Sequence, residues 1–488
     1  MPCTKPLRSA LSLPLTFLIM LILLVSCKDS VGPEILPPEL SAPAVMGALV
    51  NEEFSASITV SDPQERDVDI LFDGKPQWLE FIPGLMLLQG TPGPGDAGEH
   101  AITIIANNGS KTTSLEVKLT VFATETRYRE FVLQMHLAAS RSSITSGLRG
   151  VSMAVIDRNG ELFTASVGDM GPAVSHLPLD ENSRFRVASV TKPMTAALVL
   201  RLVDDGLIGL DDILTNHYAT PLPNAGSMTL RQMLSHTAGV FDHLNSNAFW
   251  SHPAFSPTKV WSVSELVFFA VQNGPRFPPG TAYGYSNTAF CVLGAVVEEA
   301  TGLSLEDAFE QIMFDPLGLE NTVYDNFSTA SNPIPGLAQN HRTYEYHLSA
   351  AGAAGAIAAT PADVATFGWN FYGGRFLSPE LTQELNVNIG SRFGGQPYGL
   401  GTRIWSVGGI PHHGHTGSLM NYRAILMYVP AFDLSIAIHT HDTHTSWFNL
   451  VDDLFLYSVE HFGQADLPPV VRTEPYRQQR ISGYQELY

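Results

Sequence analysis

Two residues in the first half of this sequence can form a nucleophile with its own base. Ser189 and Lys192 stand three positions apart, at the start of an apolar stretch that predicts a helix. Side chains three apart share a helix face, so the amine can take or relay the proton of the hydroxyl. The helix N-terminus adds partial positive charge, which favours an oxyanion there. The pair predicts a serine nucleophile assisted by a lysine.

A second group, Tyr285-Ser286-Asn287, stands immediately before another apolar helix. A phenol has a pKa of about 10, so Tyr285 needs a neighbouring ammonium to act as a base. Lys192 is the candidate for that ammonium. Asn287 is expected to hold a substrate amide.

A third group, His415-Thr416-Gly417, is followed by Ser418. Gly417 allows a strand edge to approach a ligand closely, and Thr416 presents a hydroxyl to a carboxylate or carbonyl. The backbone N–H groups of Ser189 and Ser418 are predicted to form an oxyanion hole.

Each group also has a simpler interpretation: a helix-capping serine, a loop tyrosine and a glycine turn. Similar letters recur at Ser256-Pro257-Thr258-Lys259 and at Tyr324-Asp325-Asn326. The first set is preferred because Ser189 precedes a long apolar helix, whereas Ser256 lies in an irregular, proline-containing segment. Tyr285 follows Ser189 by 96 residues and His415 follows Tyr285 by 130, each in a fitting local context.

The elements that must position these groups follow Thr124, where helical and strand patterns intersperse. Helical spacing ended by glycine or by irregular sequence predicts helices at Arg127–Ser140, Lys192–Asp205, Asn287–Ala300 and Trp447–Glu460. Strand patterns predict a hairpin over Val151–Val167, turned at Asn159-Gly160, and two strands at Asn421–Tyr428 and Leu434–Thr440. The predicted fold class is α+β, with an antiparallel sheet flanked by helices in one large domain.

The preceding region, from Ala44 to Ala123, alternates apolar and polar residues in short runs. The clearest runs are Phe54–Val60, Ala101–Ile105 and Leu115–Val121, with glycine-rich and asparagine-rich turns between runs. Period two without helical stretches predicts a small antiparallel β-sandwich.

Parts of this region, Pro76–Leu79 and Leu88–Pro92, resemble the immunoglobulin-like or cadherin-like modules of bacterial surface proteins. Asp67, Asp69 and Asp73 are either calcium ligands or, as we favour, a solvated acidic edge. The partner of this module is left open.

The N-terminus has the pattern of an export signal. Lys5 and Arg8 precede an uncharged run from Leu11 to Val25, which is too short to span a membrane but fits a signal-peptide core. Leu24-Val25-Ser26-Cys27 resembles the bacterial lipobox, which implies cleavage before Cys27 and acylation of that residue. The alternative is an uncleaved short anchor. The expected location is the bacterial cell envelope, with the chain held at the membrane by its lipid.

Composition excludes several classes of protein. The chain has 47 acidic and 27 basic residues, a formal charge of −20, which argues against a nucleic-acid partner. Its three cysteines cannot form a disulfide framework. With Cys3 removed and Cys27 acylated, Cys291 is expected to be a lone buried thiol.

Over residues 125–463 the sequence resembles the serine β-lactamase-like family, in the branch that holds class C β-lactamases, D-alanyl-D-alanine carboxypeptidases, D-aminopeptidases and esterases. Beyond the three groups, the resemblance includes Phe185–Ala188, Thr229–Gly239 and Gly352–Asp363. It implies that an amide, ester or β-lactam acylates Ser189 and that water then releases the product. It further implies Lys192 and Tyr285 as the proton-transfer pair. The implied substrate contacts are Asn287, His415, Thr416 and Gly417.

The predicted organisation is therefore a signal peptide (1–26), a tether (27–43), an immunoglobulin-like sandwich (44–124), a serine-hydrolase domain (125–463) and an irregular tail (464–488). No cofactor is expected. The segment His439–His444 resembles a zinc β-lactamase motif, but its aspartate is one place early, and no metal is predicted there or at His412 and His413.

The sequence leaves the choice of substrate open. A neutral His415 presents less positive charge to a carboxylate than the commoner lysine, which favours a peptidase or esterase over a class C β-lactamase. The expected partner is thus a D-amino-acid peptide, ester or β-lactam. An alternative of another class is a non-catalytic surface-binding lipoprotein.

Overall fold

The computed structural model describes residues 34–463, except 146, 173–174, 257, 326–346, 386–390, 394–395 and 443–446. The predicted signal peptide, Cys27, the first part of the tether and the tail lie outside the described residues. The chain divides into two compact units, Met1–Val121 and Phe122–Tyr488.

The first unit is built of β-strands, as the alternating pattern predicts. Its described strands are β1 Glu39–Ser41, β2 Val45–Leu49, β3 Phe54–Ser57, β4 Thr59–Ser61, β5 Asp69–Asp73, β6 Leu79–Ile82, β7 Leu87–Gly90, β8 Gly98–Asn107 and β9 Thr112–Phe122. They form sheets in the orders β2-β9-β8-β5, β3-β7-β6 and β1-β4. Alternate residues of the longer strands, among them Ile102, Ile104, Val117 and Leu119, fill one buried core.

Two details of the first unit differ from prediction. The run Phe54–Val60 is two strands rather than one: β3 pairs with β7, while β4 pairs with β1. Ile58 stands between them with its side chain buried in the core. Part of the predicted tether is also folded, because β1 pairs with β4 and the Asn108 side chain donates to the Leu36 carbonyl. Prolines are compatible with such a short edge strand, since an edge leaves some N–H positions unused.

The second unit is the predicted antiparallel sheet with helices on both faces. Its described strands are β10 Gly150–Ile156, β11 Leu162–Gly168, β12 Phe185–Arg186, β13 Val323–Tyr324, β14 Ile357–Ala359, β15 Ser391–Phe393, β16 Gln396–Tyr398, β17 Arg403–Val407, β18 Ile410–Leu419, β19 Tyr422–Val429 and β20 Leu434–Thr440. The main sheet has the order β11-β10-β20-β19-β18-β17-β16-β15, and a small sheet has the order β12-β14-β13.

The described α-helices of this unit are α1 Glu125–Ile144, α2 Thr191–Asp204, α3 Leu230–Leu234, α4 Asn247–Trp250, α5 Val263–Asn273, α6 Asn287–Thr301, α7 Leu305–Phe309, α8 Asp315–Leu317, α9 Pro361–Tyr372, α10 Pro379–Leu385 and α11 Trp447–Phe462. On β19 and β20, Ile425 and Ile438 face the core formed with α1 and α11. Leu426 and Ala437 face the core that contains α2, α6 and α9. The alternation of strand side chains thus separates two apolar layers.

No single helix among the described residues is long and apolar enough to cross a membrane. The pair Asn287–Thr301 and Leu305–Leu317, bent by 82°, meets that test only when its two helices are taken together. The first of these, α6, is buried along most of its length, because it packs into the core of the second unit.

Candidate active site

A tight turn at Ala188–Val190 presents Ser189 immediately before α2. Ala188 has a left-handed φ of 52°, which is uncommon for a residue with a side chain and marks local strain. The turn is held because the Val187 N–H donates to the Ile357 carbonyl at 3.0 Å. Ser189 is half-buried in this fixed turn.

Lys192, one helical turn further on, is fully buried beside the serine. Its Nζ lies 3.0 Å from Ser189 Oγ, 2.7 Å from Asn287 Oδ1 and 2.9 Å from the Ala354 carbonyl oxygen. The three N–H positions of an ammonium are therefore all occupied by oxygen partners. Burial lowers the pKa of Lys192 to about 7, although the nearby Asp242 carboxyl opposes that shift.

These contacts determine where a neutral Lys192 amine must point. The oxygens of Asn287 and Ala354 are carbonyl oxygens, which only accept hydrogen bonds. Ser189 Oγ alone among the three partners can instead donate a proton. When Lys192 loses its proton, its lone pair therefore faces Ser189, which is the arrangement that a general base requires.

Tyr285 completes the group around the serine oxygen. Its hydroxyl donates to Ser189 Oγ at 2.9 Å, and its ring centroid lies 4.7 Å from Lys192 Nζ. The ring packs on buried His236, with 4.4 Å between ring centroids. The Ser286 N–H donates to His236 Nδ1 at 3.2 Å, and burial lowers the pKa of His236 well below its usual range. His236 is thus a neutral support for the tyrosine, a role that sequence reasoning missed.

Asn287 lies at the first position of α6, and its amide connects two buried groups. Its Oδ1 accepts from Lys192, while its Nδ2 donates to Asp242 Oδ2 at 3.0 Å. An amide nitrogen carries two N–H groups, so the Asp242 contact uses one of them, and the predicted contact of Asn287 with a substrate stays a prediction. Asp242 was not singled out from the sequence. It follows shortly after Thr229–Gly239, a segment that carried part of the family resemblance.

Strand β18 packs against the other side of the serine turn. We call the region between Lys192 and β18 the cleft, with α2 and α6 as its helical wall and β18 as its strand wall. A Cβ added at Gly417 would lie 2.0 Å from the Val187 carbonyl oxygen, so only glycine allows this strand to approach the serine turn so closely. The pairing of β17 with β18 ends at Arg403 opposite Gly414. His415, Thr416 and Gly417 therefore lie on the part of β18 that faces the serine turn.

His415 is buried and neutral. Its Nδ1 lies 2.6 Å from the Thr416 carbonyl oxygen, which only accepts, so Nδ1 carries the proton. Nε2 then accepts from the Tyr398 hydroxyl at 3.2 Å. Burial and the neighbouring Arg403 charge hold the pKa of His415 well below its usual range. His415 thus contributes hydrogen bonds to Thr416 and Tyr398 rather than a positive charge.

A positive charge nevertheless stands on this side of the cleft. Arg403, which was not predicted as a site residue, is 1% exposed, and its guanidinium donates to the Thr416 hydroxyl oxygen. Because Thr416 Oγ1 accepts from Arg403, its own proton is free to point away from Arg403. The sequence signal was a lone arginine in a strand whose alternate residues are apolar.

The described residues of the similar segments Ser256–Lys259 and Tyr324–Asn326 form no such group. Lys259 pairs with Glu265 at 2.6 Å, and the Ser256 hydroxyl lies 3.4 Å from that of Thr258. Tyr324 is packed against Phe309, with 5.9 Å between ring centroids, and Asn326 lies outside the described residues.

Two other histidines of the histidine-rich segments pack against aromatic rings: His412 against Trp405 and Phe455, and His439 against Phe185. His439 and His412 are buried, and burial lowers the pKa of each to about 3. Within the described ranges, no three or more histidine, cysteine, aspartate or glutamate side chains are grouped to hold a metal. His444 is outside those ranges. Cys291 is buried, as predicted, and its thiol donates to the Ala351 carbonyl at 3.3 Å.

Comparison with known proteins supports the resemblance seen in the sequence. The family model described as Beta-lactamase matches residues 132–459, about two thirds of the chain. Penicillin-binding protein 4 of Amycolatopsis lactamdurans is 26% identical over 356 residues, which cover 66% of this chain and 87% of the relative. The D-alanyl-D-alanine-carboxypeptidase/endopeptidase AmpH of Escherichia coli (strain K12) is 30% identical over 184 residues, 37% of this chain and 46% of that protein. In several curated relatives, AmpH among them, the match spans less than half of the relative's length.

Solved structures show the same fold. A D-stereospecific amidohydrolase from Streptomyces sp. superposes with a TM-score of 0.57 at 26% identity, covering 67% of this chain and 98% of the amidohydrolase chain.

Proposed function

This chain belongs to the β-lactamase family, and on that premise we propose that it is a serine hydrolase that forms an acyl-enzyme on Ser189. The observation that supports the proposal is the convergence of Lys192 Nζ and the Tyr285 hydroxyl on Ser189 Oγ, at 3.0 and 2.9 Å. A nucleophile with two proton-carrying groups in contact has what acyl transfer requires.

In the proposed reaction, neutral Lys192 takes the proton of Ser189 as Oγ attacks the substrate carbonyl. A pKa of about 7 makes the lysine partly neutral near neutral pH. The developing oxyanion accepts from the backbone N–H groups of Ser189 and Ser418. Tyr285 passes a proton to the leaving nitrogen or oxygen as its bond to the carbonyl carbon breaks. Water then attacks the acyl-enzyme by the reverse sequence and frees Ser189.

We propose D-amino-acid peptides that end in a free carboxylate as the substrate class. Arg403 and Thr416 support this choice, because the Thr416 hydroxyl can donate to a carboxylate while the arginine behind it supplies the charge. The similar AmpH is named a D-alanyl-D-alanine-carboxypeptidase/endopeptidase, and the similar Streptomyces protein is named a D-stereospecific amidohydrolase. The charge that His415 does not carry is thus provided from the neighbouring strand β17.

The experiment that tests the enzyme proposal is labelling with a fluorescent penicillin and a fluorophosphonate, followed by mass spectrometry of the labelled peptide. The adduct is expected on Ser189, with S189A unlabelled and inactive. S256A, which alters the other serine of this pattern, should retain labelling and hydrolysis. Absence of any adduct on Ser189 with either probe would support a non-catalytic binding lipoprotein instead.

A hydrolysis screen then tests the substrate class. D-alanyl-D-alanine peptides should be cleaved with higher kcat/KM than short acyl esters or cephalosporins. Preferred turnover of esters would assign an esterase, and preferred turnover of cephalosporins would assign a β-lactamase.

We also propose that the chain is exported and anchored in the cell envelope by acylation of Cys27. The support is the uncharged run Leu11–Val25 followed by the lipobox-like Leu24–Cys27. C27A should move the protein from the membrane fraction to the soluble fraction, and a variant that stays with membranes would refute the anchor. The first unit, with its antiparallel sheets, is proposed to be an immunoglobulin-like module.

A further inference from the structure

The amide of Asn287 lies between a buried carboxylate and a buried amine. Asp242 Oδ2 accepts from Asn287 Nδ2 at 3.0 Å, and Asn287 Oδ1 accepts from Lys192 Nζ at 2.7 Å. Asp242 is 4% exposed and Lys192 is not exposed at all. Neither Asp242 nor Lys192 can therefore exchange its contact with this amide for one with bulk water.

The hydrogen-bond donors and acceptors of Asp242 and Lys192 allow the Asn287 amide only one orientation. A carboxylate only accepts, and the N–H groups that an amine directs at Asn287 only donate. If the amide were reversed, its NH₂ would face Lys192 and its oxygen would face Asp242, so both contacts would become repulsive. Asp242 therefore determines that Asn287 presents its oxygen to Lys192.

That oxygen is one of the two fixed acceptors that direct the Lys192 lone pair at Ser189; the other is the Ala354 carbonyl. We propose that Asp242 is a positioning residue for acyl transfer, which acts through Asn287 to aim the Lys192 amine at the Ser189 hydroxyl. The inference rests on the proposed function, because it assigns a role within the same reaction.

The negative charge of Asp242 has a second consequence. It favours the protonated form of Lys192 and so opposes the effect of burial on the pKa of that amine. Other titratable groups that contact Lys192 or interact with its charge include Tyr285, Cys291, His236, His243 and His415, and Arg403 acts on the same His415. Burial raises the pKa of Cys291 to about 12, and burial lowers the pKa of all three histidines. Among these neighbours Asp242 supplies the negative charge near neutral pH.

Asp242 also has local contacts that must be separated from this role. Its Oδ1 accepts from the Leu244 N–H at 3.2 Å, and its Oδ2 lies 3.4 Å from Asn245 Nδ2. Asn245 is exposed, so N245A removes a partner of the same carboxylate and leaves the Asn287 contact in place. This variant is the matched control.

The test measures the rate at which a fluorophosphonate labels Ser189, from pH 5 to pH 9, in the whole protein. In the wild type the rate should rise with a midpoint near 7, because neutral Lys192 is the base. D242N, which is nearly isosteric, should move the midpoint down by about half a pH unit or more, since the charge that favours protonated Lys192 is gone. Its plateau rate should fall about tenfold, because the amide of Asn287 loses its fixed direction. D242A should show the same shift with a larger loss.

N245A should keep the wild-type midpoint and plateau. A D242N profile that superimposes on the wild type would overturn the positioning role, while labelling of Ser189 would still stand. A wild type that is not labelled at all would overturn the proposed function itself. Should D242A fail to fold, as judged by thermal unfolding, D242N carries the test.

Discussion

The two walls of the cleft supply their charge in different ways. On the helical wall, Lys192 contacts Ser189 Oγ directly, and burial brings its pKa to about 7. On the strand wall, His415 is neutral, and the charge resides on Arg403, which reaches the cleft through the hydroxyl of Thr416. One wall holds a group that titrates near neutral pH, and the other holds a group that stays protonated.

This difference separates the residue proposed to transfer protons from the residue proposed to bind the substrate carboxylate. A residue that transfers protons must change its charge during the reaction, so it needs a pKa near the working pH. A residue that binds a carboxylate needs a constant charge, and a guanidinium provides it. We therefore expect pH dependence to arise from the helical wall and selectivity for carboxylate substrates to arise from the strand wall.

The largest expected effect comes from replacing the titrating group. In K192R a guanidinium stands where an amine must lose its proton, and arginine stays protonated at any ordinary pH. Labelling of Ser189 and hydrolysis should fall by at least about 10³-fold, and the rise of rate with pH near 7 should disappear. Stopped-flow acylation from pH 5 to pH 9 measures both.

H415Q provides the control on the opposite wall. Because His415 is neutral over this range, its replacement should lower the rate several-fold at most and leave the midpoint of the pH profile where it is in the wild type. If H415Q removed the rise near pH 7 and K192R retained it, the assignment of charge to the two walls would be reversed.

Local patterns predicted most of the elements that build these walls. Gly302 ends α6 in a left-handed conformation and Gly206 follows α2 with φ of 72°, so the predicted helix ends are confirmed within one or two residues. The predicted strand Leu434–Thr440 is confirmed as β20, in which a single-residue shift would place Ile436 and Ile438 in the wrong layer. The prediction of a single strand at Phe54–Val60 was wrong. The chain changes its sheet partner within this run, and the alternation of apolar and polar residues does not show such a change.

The contacts of the candidate site also fall into two groups, those that sequence spacing predicts and those that it does not. Ser189 and Lys192 are three residues apart, so helical geometry alone predicts their contact at 3.0 Å. Arg403 and Asp242 reach their partners across 13 and 45 residues of chain, through strand pairing and helix packing. Such contacts are determined by tertiary structure. A single charged residue in an apolar segment indicates only that it has some buried partner.

A smaller and more selective effect is expected on the strand wall. R403Q removes the fixed charge behind Thr416, and a charge-assisted contact to a carboxylate is worth about 2 to 3 kcal/mol. For a D-alanyl-D-alanine peptide with a free C-terminus, kcat/KM should fall about 100-fold, mostly through KM. The same peptide with an amidated C-terminus should lose less than about threefold, because it has no carboxylate to bind. R403K, which keeps a charge but not the planar guanidinium, should fall between R403Q and the wild type, and it covers the case in which R403Q does not fold. Equal losses on the free and amidated peptides would show that Arg403 supports β18 structurally, and the carboxylate site would have to lie elsewhere in the cleft.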